Sequence, residues 1–156
     1  MIHSERCILS ALTEDDLEPW LRLRTHPEVM QYLGGPRDEV TEINRFENLL
    51  GSTNPIWVIR PIEDSAFMGI ITLAPHHDGE DTEVSYLLLP EWWGQGYATE
   101  AVQAILDHGL ANLGLSRIIA ETQTANAVSV RLLKRVGMTF ERNVERFGAE
   151  QSIYTT

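Results

Sequence analysis

The segment from residue 87 to residue 101 constrains the fold of this chain more than any other. It runs from the apolar end of a β-strand pattern, through a loop with Gly94 and Gly96, into the first turn of a helix. The N–H groups of a first helical turn have no acceptor within the helix, and the macrodipole adds positive charge there. Glycine lets a ligand approach the main chain closely. The segment therefore predicts an α/β fold with an anion site at a helix N-terminus.

The helix after this loop has the clearest apolar pattern in the chain. Its apolar residues recur at +1 and +3 spacing as one continuous stripe: Ala101, Val102, Ile105, Leu106, Gly109, Leu110 and Leu113. Further helices are predicted to begin at Thr13 and to span residues 38–50 and 126–136, and a short helical turn is predicted over residues 26–33. Strands are predicted over 6–12, 56–62, 67–73, 82–89, 117–121, 140–144 and 151–154. The order predicts one domain over 1–156, with a mixed sheet that contains an antiparallel meander and is flanked by helices.

The charge, the apolar runs and the cysteine count of the chain argue against several classes of partner and location. Its 156 residues carry 12 basic and 23 acidic side chains, a net charge of −11, which argues against nucleic-acid binding. No apolar run is long enough to cross a bilayer, and residues 1–7 lack the pattern of a signal peptide, so neither a membrane partner nor export is expected. The single cysteine, Cys7, cannot form an internal disulfide, which favours a reducing, cytoplasmic location.

Three kinds of phosphate site can be weighed against a plain turn into a helix. A P-loop is excluded because its lysine is absent. A dinucleotide fingerprint lacks its third glycine, which is Thr99 here, although Glu121 stands roughly where a ribose-binding acid belongs. That dinucleotide-binding alternative is kept open. The third kind of site depends on a family resemblance.

The run Trp93-Gly94-Gln95-Gly96-Tyr97-Ala98 resembles the pyrophosphate-binding motif of the GNAT superfamily of acetyl-CoA-dependent N-acetyltransferases, [Q/R]-x-x-G-x-[G/A], with Trp93 in the first position. A second block, residues 126–138, is similar to N-x-x-S-x-x-[LV]-x-x-x-x-G-[FM] of the branch that contains the ribosomal-protein N-terminal acetyltransferases. Residues 15–35 also look like the first helices of the family. The resemblance implies an N-acetyltransferase that uses acetyl-CoA.

The resemblance also implies where the cofactor lies. Acetyl-CoA would occupy a splay between the strands at 82–89 and 117–121, where backbone groups near Leu87, Leu88 and Leu89 would pair with the pantetheine like an added strand. Main-chain amides would hold the pyrophosphate, from Trp93, Gly94, Gln95, Gly96, Tyr97, Ala98 and Thr99. Asn126 would lie near the pantetheine. No Lys or Arg occurs between Arg60 and Arg117, so the loop itself supplies no cation.

Two side chains are candidates for the proton transfers. Glu83 precedes the loop on its strand, in a stretch similar to the family's A-E-[IV]-G-Y, and is the candidate general base. Strand alternation puts Glu83 on one face with Ser85, Leu87 and Leu89. The resemblance places Ser129 near the thioester sulfur as the candidate proton donor. Asn126 and Ser129 also fit purely structural roles, as the N-cap and N3 residues of a helix.

The acceptor is expected to be a primary amine. The resemblance implies that the N-terminal helices form part of the acceptor groove. Residues 1–80 carry 6 basic and 14 acidic side chains, a net charge of −8, and Asp38, Glu39, Glu42 and Glu47 form an acidic group that would favour a cationic acceptor there. The same acids also suit a surface that only keeps the protein soluble. His76 and His77 are interpreted as a surface turn, and no metal is expected. A non-catalytic acyl-CoA-binding module and a homo-oligomer both remain open.

Overall fold

A single eight-stranded sheet forms the centre of the molecule in the computed structural model, which describes residues 1–156. The strands are β1 (Ile2–His3), β2 (Cys7–Ser10), β3 (Ile56–Pro61), β4 (Gly69–Pro75), β5 (Thr82–Leu88), β6 (Ile118–Gln123), β7 (Thr139–Arg146) and β8 (Ala149–Thr155). They are arranged in the order β1-β2-β3-β4-β5-β6-β8-β7. Every neighbouring pair is antiparallel except β5 and β6. The predicted α/β fold, with its meander of β3, β4 and β5, is confirmed.

Four α-helices cover the sheet: α1 (Leu17–Arg24), α2 (Glu39–Leu49), α3 (Tyr97–Asp107) and α4 (Ala127–Arg135). A 3₁₀ turn over Pro90–Trp92 precedes the glycine loop, and a π-helix over His108–Asn112 extends α3. No helix has both the length and the apolar character needed to cross a bilayer.

Two apolar clusters lie on opposite faces of the sheet. The larger packs α3 and α4 against one face, and includes Val84 and Leu88 of β5. The smaller packs α1 and α2 against the other face, where Leu89 is buried and Leu87 packs against it. Successive side chains of a strand point to opposite faces, as this division requires. Consequently, β5 presents Glu83, Ser85 and Leu87 on the side of α1 and α2.

Three local predictions need correction. The edge strand β1 was not expected, because two residues carry too little pattern to predict. Residues 26–33 form hydrogen-bonded turns and no helix: one helical bond forms, from the Met30 N–H to the His26 carbonyl, and Gly34 and Gly35, both with positive φ, end the segment. The apolar stripe ends early: Leu110 and Leu113 are exposed because the π-helix has more residues per turn, so +3 spacing no longer keeps them on the buried face.

Candidate functional site

A gap opens between β5 and β6. The two strands pair only at Thr82–Ile118 and Glu83–Ile119 and then separate, although both continue. Beyond this point β6 keeps its pairing with β8. The splayed strand pair expected from the sequence is therefore confirmed, and it leaves backbone groups of β5 without a strand partner.

The register of β5 decides which backbone groups face the gap. The N–H of Leu89 donates to the carbonyl of Met68 at 2.9 Å. Hydrogen-bonded and non-hydrogen-bonded pairs alternate along an antiparallel ladder, so Leu87 also bonds toward β4, whereas Tyr86 and Leu88 turn toward the gap. The indole Nε1 of Trp93 donates to the Leu88 carbonyl at 2.8 Å. Of the three leucines named from the sequence, Leu88 is thus the one whose backbone faces the gap.

The glycine loop lies at the end of β5 and leads into α3. Gly94 and Gly96 have φ of +70° and +84°, a region that disfavours side chains. The first bond of the helix runs from the Glu100 N–H to the Gly96 carbonyl at 3.1 Å. The N–H groups of the first turn, on Tyr97, Ala98 and Thr99, therefore have no acceptor within the helix. With the helix dipole they form a binding site suited to an anion.

The side chain of Glu83 bridges β5 and β6 at the point where the two strands separate. Its Oε2 accepts the N–H of Glu121 at 3.2 Å, which joins β5 to β6 where the strands part. The side chain is half-buried. Burial raises the pKa of the Glu83 carboxyl above its usual value, and the nearby Glu121 carboxylate raises it further. His76, the hydrogen bond from the Glu121 N–H and Arg146 lower this pKa, but burial outweighs them. A carboxylate with a raised pKa is a better proton acceptor than a solvated one.

The expectation that His76 lies on the surface is wrong. The side chain is buried, and its Nε2 lies 2.9 Å from Oε1 of Glu121. Its Nδ1 accepts the N–H of Asp78 at 3.3 Å, so the ring proton resides on Nε2 and is donated to Glu121. His77 contributes a third ligand atom within 4.8 Å of these two. Arg146 Nε, 3.0 Å from Glu121 Oε2, competes with any cation for that carboxylate.

These contacts also bear on the dinucleotide alternative. Glu121, the candidate ribose-binding acid, already holds His76 and Arg146. The sheet is mostly antiparallel, whereas the dinucleotide fold needs a parallel sheet of successive crossovers. The dinucleotide-binding alternative is therefore not favoured.

Ser129 meets a residue that the sequence did not suggest. Its Oγ lies 2.6 Å from the phenolic oxygen of Tyr86, between α4 and β5. Burial raises the pKa of Tyr86, and the hydrogen bond with Ser129 lowers it. The Oδ1 of Asn126 accepts the Ser129 N–H at 3.3 Å, so the predicted N-cap and N3 positions are confirmed. Tyr86 is half-buried, and the sequence carries no local signal that pairs its hydroxyl with Ser129.

Arg6 is a second residue that the sequence did not suggest. Both of its Nη atoms donate to the carbonyl of Gln95, at 3.1 and 3.2 Å. A cavity of about 480 Å³ beside it is lined by Gly96, Thr99 and, from the last turn of α4, Arg135. The cations near the glycine loop therefore come from distant parts of the chain.

The acidic group on α2 is smaller than expected. Glu42 is buried, and its carboxylate lies 3.2 Å from Nε of Arg24 and 3.2 Å from the Trp20 indole nitrogen. It neutralises a buried arginine and adds nothing to the surface charge. Asp38, Glu39 and Glu47 remain exposed.

Most of the chain matches the model of a known protein family. The model of the Acetyltransferase (GNAT) domain matches residues 6–139. The chain belongs to the GNAT family. The uncharacterized N-acetyltransferase YoaA of Bacillus subtilis is 31% identical over 150 residues, which cover 90% of this chain and 84% of the relative. The FsC-acetyl coenzyme A-N(2)-transacetylase of Aspergillus fumigatus is 29% identical over 161 residues, covering 94% and 66%.

Solved GNAT structures share the fold. The GNAT-family acetyltransferase from Bacillus anthracis superimposes with a TM-score of 0.88 at 24% identity, covering 99% of this chain and 96% of that one. The spermidine N-acetyltransferase from Vibrio cholerae, in complex with CoA and spermine, has a TM-score of 0.80 at 21% identity, covering 96% and 93%. At these identities the likeness establishes the fold alone.

Proposed function

We propose that the protein transfers the acetyl group of acetyl-CoA to a primary amine by direct attack within a ternary complex. The observation that carries this proposal is the position of Glu83, at the point where β5 and β6 separate. Its strand leads into a helix N-terminus with free N–H groups. The thioester of acetyl-CoA supplies the acyl group. Membership of the GNAT family supports the reaction class.

The cofactor is proposed to lie along the gap. The backbone of Leu88 faces the pantetheine, with Leu87 and Leu89 on either side, and Asn126 stands near it at the start of α4. The amides of the loop and first helical turn hold the pyrophosphate, through Trp93, Gly94, Gln95, Gly96, Tyr97, Ala98 and Thr99. Arg135 stands beside the same cavity and is suited to the adenosine phosphate.

The proton transfers are assigned to side chains on opposite faces of β5. Glu83 accepts the proton of the attacking amine, directly or through a water. Ser129 donates a proton to the departing thiolate and regains one from the Tyr86 hydroxyl, 2.6 Å away. Tyr86 is reprotonated from solvent once CoA has left. A module that only binds acyl-CoA would not need either group.

A thermal-shift measurement tests the cofactor directly. Acetyl-CoA and CoA are expected to stabilise the protein, by about 2.7 kcal/mol at 100 times Kd, because a ligand that binds only the folded state adds its binding free energy. NAD is expected to leave the melting temperature unchanged. Stabilisation by NAD without stabilisation by CoA would contradict the proposal.

The proton donor is tested by a pair of hydroxyl deletions. Ser129→Ala is expected to lower kcat by about 10²-fold, the low end of the range for a general acid, with little change in Kd for CoA. The Ser129 N–H that Asn126 accepts survives in alanine, so the helix cap is retained. Tyr86→Phe is expected to act in the same direction, and the double variant to be no slower than Ser129→Ala, since the two groups act as one unit. A loss confined to CoA affinity would make Ser129 a cofactor contact and not the donor.

The branch resemblance and the charge of the chain support two classes of acceptor amine. We propose a protein N-terminus or a small-molecule amine, with the ribosomal-protein N-terminal acetyltransferase branch as the model for the first. The V. cholerae neighbour, which was solved with spermine, supports the second. The exposed acids Asp38, Glu39 and Glu47 favour a cationic acceptor in either case.

Salt dependence checks the role of these acids. A cationic acceptor is expected to have a higher kcat/KM than a neutral analogue at low ionic strength. That preference is expected to shrink as the Debye length falls from about 10 Å at 0.1 M salt to about 3 Å at 1 M. Equal kcat/KM for the two acceptors at low salt would mean that Asp38, Glu39 and Glu47 do not select the acceptor.

A further inference from the structure

Arg6 is fixed against the glycine loop from several sides. The residue lies between β1 and β2, 89 residues before Gln95, whose carbonyl accepts both Nη groups. Its guanidinium lies 4.3 Å from the centre of the Tyr97 ring, within range of a cation–π contact. Its Nε lies 2.8 Å from Oε2 of Glu100. The N-terminal segment therefore places a held cation at the start of α3, where the loop supplies none.

The bond to Gln95 sets the orientation of one peptide group. The structure contains no cis peptide bond, and in a trans peptide the carbonyl and the following N–H point in opposite directions. Because the Gln95 carbonyl points at Arg6, the Gly96 N–H points away from it. Gly96 can otherwise rotate freely, since glycine has a wide range of backbone conformations. Arg6 thus limits the motion of the peptide that immediately precedes the first turn.

The bond to Glu100 removes an opposing charge. Glu100 lies in the first turn of α3, and its carboxylate would repel a diphosphate bound at that helix end. Burial raises the pKa of Glu100, but hydrogen bonds from Ser4 and Arg6 outweigh burial and lower it, so the side chain is charged. Arg6 pairs with this charge and remains 45% exposed, so unused N–H groups still face solvent.

We propose that Arg6 is a positioning residue for the pyrophosphate of CoA: it fixes the Gln95–Gly96 peptide and neutralises Glu100, so that the start of α3 accepts a diphosphate. This inference rests on the proposed function. It assigns to the N-terminal segment a part in cofactor binding that residues 87–101 alone do not provide.

The test uses three ligands that differ in their phosphates. Arg6→Gln is expected to raise Kd for CoA and for 3′-dephospho-CoA by the same factor, about tenfold. The KM for acetyl-pantetheine, which has no diphosphate, is expected to stay unchanged. Isothermal titration gives the two dissociation constants, and a thiol-release assay gives the KM. Arg37→Gln is the matched control, because Arg37 is another exposed arginine that holds a backbone carbonyl, that of Leu33.

Each outcome decides between the alternatives. Unchanged affinity for CoA, or an equal loss for all three ligands, would overturn the assignment, since the second pattern means that Arg6 only stabilises the fold. If Arg6→Gln does not fold, Arg6→Lys keeps the cation without the two-pronged contact and is expected to show the same ligand pattern with a smaller loss. Failure of the unaltered protein to bind CoA would refute the proposed function itself, which separates the two failures.

Discussion

Gly96→Val is expected to abolish the binding of CoA. Gly96 has a φ of +84°, a backbone conformation that a β-branched residue adopts only with strain. A Cβ at this position would also lie 3.2 Å from Nη2 of Arg6, and would disturb the arginine that holds the loop. The free N–H groups of the first turn lie directly beyond it. Isothermal titration is expected to show Kd for CoA raised by about 100-fold or more.

Gly114→Val provides the control for backbone strain. Gly114 also has a positive φ, +69°, and its Cβ would meet nothing within 4 Å. It follows the π-helix at the opposite end of the same helical segment. This variant is expected to lose some thermal stability and to keep its affinity for CoA. If both variants bind CoA as the unaltered protein does, the glycine loop is not the pyrophosphate site.

The parts of the site that were predictable from the sequence are those determined by neighbouring residues. The helix start after Gly96 follows from glycine conformation and the apolar stripe of α3. The cap at Asn126 follows from the side-chain chemistry of one residue and its N3 neighbour, and its bond to Ser129 is present. Both depend on contacts within a few residues, which the order of the sequence already contains.

The parts that were not predictable depend on how distant elements meet. Arg6 and Gln95 are 89 residues apart, Tyr86 and Ser129 are 43 apart, and His76 and Glu121 are 45 apart. No local pattern states which strands separate or which face of α4 meets β5. Glu42 shows the same limit, because an acidic residue on a helix looks solvated until a buried Arg24 is found beside it.

The buried charges below the gap form a connected group. Glu121 receives a hydrogen bond from His76 and lies beside Arg146, and its own N–H is donated to Glu83. Asp78 pairs with Arg146 on the outer side, which lowers the pKa of Asp78 to about 2. Glu83 is therefore held by a neighbour that is itself held on two sides. A rigid carboxylate at the opening is what a proton acceptor needs, because its position must be fixed before the amine arrives.

Glu83→Gln is expected to lower kcat by about 10²-fold to 10⁴-fold, the range for loss of a general base. Glutamine keeps the size of the side chain and an oxygen that can accept the Glu121 N–H, so the gap is expected to keep its shape. Rising pH is expected to restore part of the rate, as the amine loses its proton to solvent. An α-amino group, with a pKa of about 7.7–8, needs less help than a lysine near 10.4, so a small effect favours an N-terminal acceptor.

The pH dependence of stability checks the environment of Glu83 without any substrate. Because burial raises its pKa in the folded state, folding favours the protonated form. The resulting stabilisation is complete below the usual glutamate pKa, about 4.3, and is lost as pH rises through the raised value. Glu83→Gln is therefore expected to raise the melting temperature at pH 7 and to raise it less near pH 4. The control variant Glu145→Gln, at an exposed position of β7, is expected to leave the melting temperature unchanged at both pH values. A lower melting temperature at pH 7 would mean that the charged carboxylate stabilises the gap, and Glu83 would then be a structural link between β5 and β6.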